Sequence, residues 1–239
     1  MSIAIKEKSK IEKVRSAQQV GHRKRLRERL LENGGESLLD YEIVELMLFL
    51  IFKRKDTKPL AKSLLEKFGT IDLILSASKN DILDIEGAGE AVFTGIKIID
   101  AVIKSTLKSK IMKRSTIYCF EDVLKYCEFN MKNLLAEEFR VIFLNTINQI
   151  IGDEVMQRGT INSVDVAPRE IVRRCIEKGA KGFILVHNHP SGDPTPSAGD
   201  VIATKMINDA AKVFNIDLYD HIIIGGHRHI SFKNLGLLK

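Results

Sequence analysis

Hydrophobic positions along this chain follow two rhythms, one in each half. From Ser37 to Leu75 they recur at helical spacing, first in LLDYEIVELMLFLIF and then, past the polar break KRKDTKP, in LAKSLLEKFG, which ends at Gly69. A small hydroxyl residue ahead of an apolar stripe and a glycine behind one are ordinary start and stop signals of a helix. SASKNDILDIEGAGEAVFTGIKIIDAVIKS predicts a short helix, a tight hairpin at Gly87 and Gly89, and another helix. The basic stretch KSTLKSKIMKRST, 104 to 116, loses the periodicity and marks a domain boundary. Beyond it, FRVIFLNT (139 to 146) and QIIGDEVMQRGT (149 to 160) are apolar runs joined at Ile147-Asn148, the pattern of a β-hairpin. PREIVRRCIEKGA opens a helix with Pro168 at its first position, GFILVHNH reads as a buried strand, the segment after Ser197 as a helix, and HIIIGG as a strand. The expected organisation is a basic N-terminal arm (1–35), a small all-α domain (36–108) and an α/β domain (117–239).

Composition narrows the class. With 44% hydrophobic and 28% charged residues the chain is globular rather than disordered. The longest apolar run, Leu46 to Phe52, falls far short of the roughly 20 residues of a membrane span, and the start MSIAIKEKSK lacks the apolar stretch of a secretory signal. A cytoplasmic protein without membrane contact is the expectation. Cys119, Cys127 and Cys175 make no even set and no C-x-x-C pair, so they read as reduced and structural. Charge is uneven: residues 1 to 29 hold ten Lys/Arg against three Glu, a net of +7, and the rest of the chain is close to neutral. Such an arm suits nucleic acid or another acidic partner, and equally a solvated helix face.

The stretch HNHPSGDPTPSAGD, His187 to Asp200, carries the chemistry. Alternate residues of a strand share a face, so His187 and His189 present two imidazoles to one point. Ser197 is a good helix N-cap, and the Pro/Gly loop before it can fold Asp200, in the first turn of that helix, back as a third ligand. Two histidines and a carboxylate suit zinc or iron better than magnesium or calcium, and zinc needs no redox partner. Hydrolysis also needs a carboxylate to accept the proton of the attacking water, and Glu137, Glu138 and Glu154 are the candidates. His227 and His229 form a second H-x-H with no following Asp and read as exposed strand residues. His221 reads as an ordinary hydrogen-bonded histidine rather than a support for a ligand.

The string H-x-H, seven residues, Ser197, two residues, Asp200 matches the JAMM motif of MPN+ metalloproteases at every spacing. Together with PRE at 168 to 170 and DHIIIG at 220 to 225, it resembles the RadC-like DNA repair protein family, as does GHRKRLRERLLENGGESLLDYEIVELMLF near the N-terminus. The resemblance implies an MPN (JAB/JAMM-like) domain with a mixed sheet flanked by helices. It further implies one zinc per chain on His187, His189 and Asp200, and Ser197 steadying an oxyanion. Because the family's glutamate precedes an apolar strand, its E-x-F pattern falls on Glu137 of Glu137-Glu138-Phe139, with Glu138 one position off.

In the first half, Gly87 and Gly89 resemble the turn of a helix-hairpin-helix module, whose backbone amides meet a DNA phosphate. Glu86 and Glu90 beside that turn argue for a structural hairpin instead. Two function classes follow: a JAMM-type zinc hydrolase acting on an amide or isopeptide bond of a protein or peptide, and a DNA-associated binding module without turnover. A zinc nucleobase deaminase would need H-x-E and P-C-x-x-C, neither of which occurs, and a two-metal nuclease would need more clustered carboxylates than 187 to 200 offers.

Overall fold

The structure, a computed structural model, describes residues 21–112, 120–159 and 167–238, and the chain divides near Ala101 into two compact units. The first unit is all helical: α1 (21–33), a 3-10 turn at Gly35–Ser37, then α2 (Asp40–Ile51), α3 (Lys58–Phe68), α4 (Ile71–Ser76) and α5 (Lys79–Leu83). α6 (Glu90–Met112) begins in this unit. Val44, Leu48, Leu60, Leu64, Ile74, Ile82, Val92 and Ile96 are buried, each on the apolar stripe of its helix. Gly69 stops α3 with φ 84°, a conformation glycine adopts without a Cβ penalty.

The described part of the basic N-terminus is not a separate arm. Over 21–33 it is a helix built into the unit: Leu26 packs with Leu38 and Phe49, and Arg23 donates to the carbonyls of Phe52 and Lys53 at the exit of α2. Arg29 pairs with Glu42, and the His22 ring bonds the buried Glu45 carboxylate at 3.1 Å. Charge counting leaves these cations to an acidic partner or to solvent because it does not see the carbonyls and carboxylates that the fold leaves for them. Likewise α6 runs unbroken through the basic stretch as far as Met112, while residues 113–116 lie outside the described part.

The second unit holds α7 (Phe120–Met131), β1 (Glu138–Leu144), β2 (Ile150–Arg158), α8 (Pro168–Glu177), β3 (Gly182–Asn188), α9 (Ala198–Val213), β4 (Asp217–Gly225) and β5 (Arg228–Ser231). The sheet order is β2-β1-β3-β4-β5, with β3 and β4 parallel across α9 and every other pair antiparallel. Odd positions of β1 and β3 (Phe139, Val141, Phe143, Phe183, Leu185) pack against Ile171 and Cys175 of α8 and Ile207 and Ala211 of α9. Even positions (Ile142, Leu144, Ile184, Val186) pack against Val123, Cys127 and Met131 of α7. Both faces of the sheet are covered, which explains strands that read as continuous apolar runs. Cys127 and Cys175 are buried free thiols within these two layers, and Cys119 lies outside the described residues.

Candidate metal centre

β3 is apolar through Val186 and turns polar where it leaves the core, so His187 stands on the odd face at the strand's end and His189 just past it. Their Nε2 atoms lie 3.0 Å apart. The Pro/Gly loop packs so closely on β4 that a Cβ at Gly225 would lie 2.5 Å from Pro194 N and 2.8 Å from Gly192 O. It delivers Ser197 as N-cap of α9 in a capping box: the Asp200 N–H donates to Ser197 Oγ, while the Ser197 N–H and hydroxyl donate to Asp200 Oδ2 at 2.8 and 2.6 Å. Asp200 Oδ1 is then 3.4 Å from His187 Nε2, and Oδ2 is 3.7 Å from His189 Nε2. One ligand atom from each of the three residues falls within 4.8 Å of the others.

The proton positions follow from the partners behind each ring. His189 Nδ1 lies 2.8 Å from the carbonyl of Asp193, which can only accept, so Nδ1 carries a hydrogen and Nε2 is bare whenever the ring is neutral. Thr204 gives its hydroxyl proton to the carbonyl of Asp200 at 2.5 Å, so its oxygen accepts from His221 Nδ1 at 2.6 Å. His221 Nε2 therefore accepts from His187 Nδ1 at 2.8 Å, and His187 Nε2 is bare as well. Two lone pairs and a carboxylate facing one another repel unless a cation lies between them. A proton on His189 would relieve one contact; a divalent ion relieves all three, and this is the fit of the donor set to a metal.

Electrostatics agrees. Burial, which outweighs the Asp200 charge, pushes His187 down to about 4, so this ring is neutral at pH 7. His221 lies well below its ordinary value, also by burial. The Asp200 carboxylate, 3.7 Å from Nε2, raises His189 above its ordinary value, against the desolvation that would lower it. Desolvation works to raise Asp200, but the nearby His189 ring, the His187 ring and the hydrogen bonds from Ser197 hold it below the carboxylate range. The site thus keeps a neutral His187 and an ionised Asp200, while the carboxylate draws a proton to His189 that a bound metal would displace.

The carboxylates sort themselves by register. Phe139 pairs with His187, so Glu137, two residues before Phe139, shares the histidine face, and Glu138 takes the other. Glu137 lines a cavity of about 270 Å³ with His187, His189, Ser197 and Asp200. Glu138 is buried against Arg140 and Arg158, at 2.7 and 3.0 Å. Glu154 pairs with Arg174 and Lys178 on the far strand, which hold it down to about 2, Arg174 first.

His221 departs from the ordinary role expected of it, because its partner is the ring of His187. Of the second H-x-H, His229 stands on β5 bonded to Glu128 at 3.0 Å, and His227 lies in the β4–β5 turn rather than on a strand. Both are exposed. In the helical unit, Gly87 takes φ 84° in the turn between α5 and α6, and Glu90 is engaged by Lys79 at 2.6 Å.

A mixed five-stranded sheet between helical layers, with a two-histidine, one-aspartate cluster at the end of β3, defines a JAB/MPN-type domain following a helical region. The family model described as RadC-like JAB domain matches residues 117–237, and that described as UPF0758 N-terminal matches residues 18–94. The chain belongs to the RadC-like JAB domain family. Among the described residues no helix is long and apolar enough to cross a membrane.

Proposed function

We propose that the second unit is a zinc-dependent metallohydrolase of JAMM type that cleaves an amide or isopeptide bond in a protein or peptide. The observation that carries this reading is the convergence of His187 Nε2, His189 Nε2 and Asp200 with Glu137 on the wall of the same cavity. A bound zinc ion would supply Lewis acidity toward the scissile carbonyl and lower the pKa of water toward neutrality. Glu137 would accept the proton of the attacking water and return it to the leaving amine as the C–N bond breaks, so that an acid and an amine leave the site. The Ser197 hydroxyl is engaged by Asp200; turned toward the substrate carbonyl, it would donate to the oxygen on which negative charge develops.

The test is elemental analysis of the full chain beside His187→Ala and Asp200→Ala, followed by amide and isopeptide hydrolysis with Glu137→Gln as control. One zinc per chain, lost in both ligand variants, with cleavage lost in Glu137→Gln, is the expected outcome. A chain that takes up no zinc when it is supplied overturns the reading.

A DNA contact is the second reading, and the Lys55 amine supports it by approaching Gly87 so closely that a Cβ there would stand 3.1 Å away. A lysine beside a glycine turn at the start of α6 suits a backbone phosphate. Duplex binding by the full chain that weakens with added salt and with Lys55→Ala is expected on this reading; binding indifferent to both contradicts it.

A further inference from the structure

Between the two histidines stands Asn188, 1% exposed. Its side chain lies on the sheet face opposite the cluster, the even face of β3, and so is no ligand. Asn188 Oδ1 accepts from the backbone N–H of Glu138 at 2.8 Å, and Nδ2 donates to the carbonyl of Ala136 at 3.2 Å. The two bonds straddle Glu137. They fall where the β1–β3 ladder, whose last pair is Phe139 with His187, would otherwise end, so the side-chain amide acts as one more peptide unit of the sheet. From the other side the Gly159 N–H donates to the carbonyl of Glu137 itself at 2.9 Å. Glu138 is fixed by Arg140 and Arg158 on the face away from the cluster.

We infer that Asn188 is a positioning residue for Glu137: its amide extends the sheet by one step and holds the Glu137 carboxylate toward the site that His187 and His189 form. H-N-H is then one unit in which the outer residues supply ligands and the middle one sets the register of the proton acceptor. The inference rests on the metal-hydrolase reading of that site. A loose segment at 136–138 would let a single-residue slip turn Glu137 to the other face and bring Glu138 round in its place. A side chain that satisfies both a donor and an acceptor of the same backbone removes that freedom.

Zinc affinity of the full chain, measured by competition with a chelator, separates this role from a general structural one. The compared proteins are the wild type, Glu137→Gln, Asn188→Ala and the double variant. Removing the Glu137 charge from beside the cluster should weaken zinc binding roughly five- to ten-fold. Asn188→Ala should weaken it by a comparable factor in the wild type and by less than about two-fold when Glu137 is already Gln. Backbone amide exchange at Glu138 should rise about ten-fold or more in Asn188→Ala. Asn188→Thr, close to asparagine in volume and with one hydroxyl that cannot serve both backbone groups, replaces the alanine variant should that one fail to fold. Equal weakening in both backgrounds, or no weakening in the wild type, overturns the inference and leaves the metal reading standing. A wild type that binds no zinc overturns the metal reading itself.

Discussion

The chain carries H-x-H twice, and the two copies came to different ends. His187 and His189 stand where β3 leaves the core, each with an acceptor behind its Nδ1, a carboxylate folded back in front and the rings 3.0 Å apart at Nε2. His227 and His229 stand at the exposed β4–β5 corner, where His229 bonds Glu128 and Arg228 reaches the Gly192 carbonyl at 3.3 Å. The letters are the same and the backing differs. A metal ligand needs a fixed tautomer with its lone pair aimed inward, and that comes from partners behind the ring rather than from the spacing of the rings. The glutamates repeat the lesson: Glu137 faces the cavity, while Glu138 and Glu154 are held by cations elsewhere.

The two histidine pairs should differ most when the ligands themselves are removed. His187→Ala and Asp200→Ala should lose bound zinc, whereas His227→Ala and His229→Ala should keep one equivalent, read by elemental analysis. Zinc lost from the second pair would break the distinction. Next in size is the backing: Thr204→Val and His221→Phe remove the partners that set the His187 tautomer and should weaken zinc roughly 10- to 100-fold by chelator competition with the fold retained. Unchanged affinity would mean that His187 needs no such support.

Ser197→Ala tests the cap separately from the chemistry. It should destabilise the chain by about 1 kcal/mol in denaturant unfolding, since an N-cap is lost, and leave Asp200 able to bind. Smallest is the effect of Glu154→Gln, which should not touch zinc but should alter acid stability. Because Arg174 and Lys178 depress the folded value of Glu154 to about 2, its contribution is complete above its ordinary value near 4.5 and is lost as pH falls through about 2. Urea unfolding between those pH values should therefore fall less steeply in the variant than in the wild type.

Much of this was legible in the sequence because it is local. The cap at Ser197, the stop at Gly69, the Pro168 start and the spacing of His187, His189 and Asp200 each depend on residues within one turn or one loop. What was not legible depends on pairing between distant segments. His221 sits 34 positions from His187 and meets it only through the parallel β3–β4 register, so an isolated histidine before an apolar run gave no sign of its partner. Only the resemblance ranked Glu137 ahead of Glu138; the residues alone left both open, and the pairing of Phe139 with His187 puts Glu137 on the histidine face. Charge alone left Arg23 and Arg29 between an acidic partner and a solvated face because their partners within the fold, the carbonyls of Phe52 and Lys53 and the carboxylate of Glu42, lie some 13 to 30 positions away.

X-ray absorption at the zinc edge on the zinc-loaded full chain would show whether His187, His189 and Asp200 hold one zinc ion. A light-atom shell at about 2.0–2.1 Å with outer scattering from two imidazoles and no sulfur is the expected result. Sulfur in that shell, or fewer than two imidazoles, would contradict it.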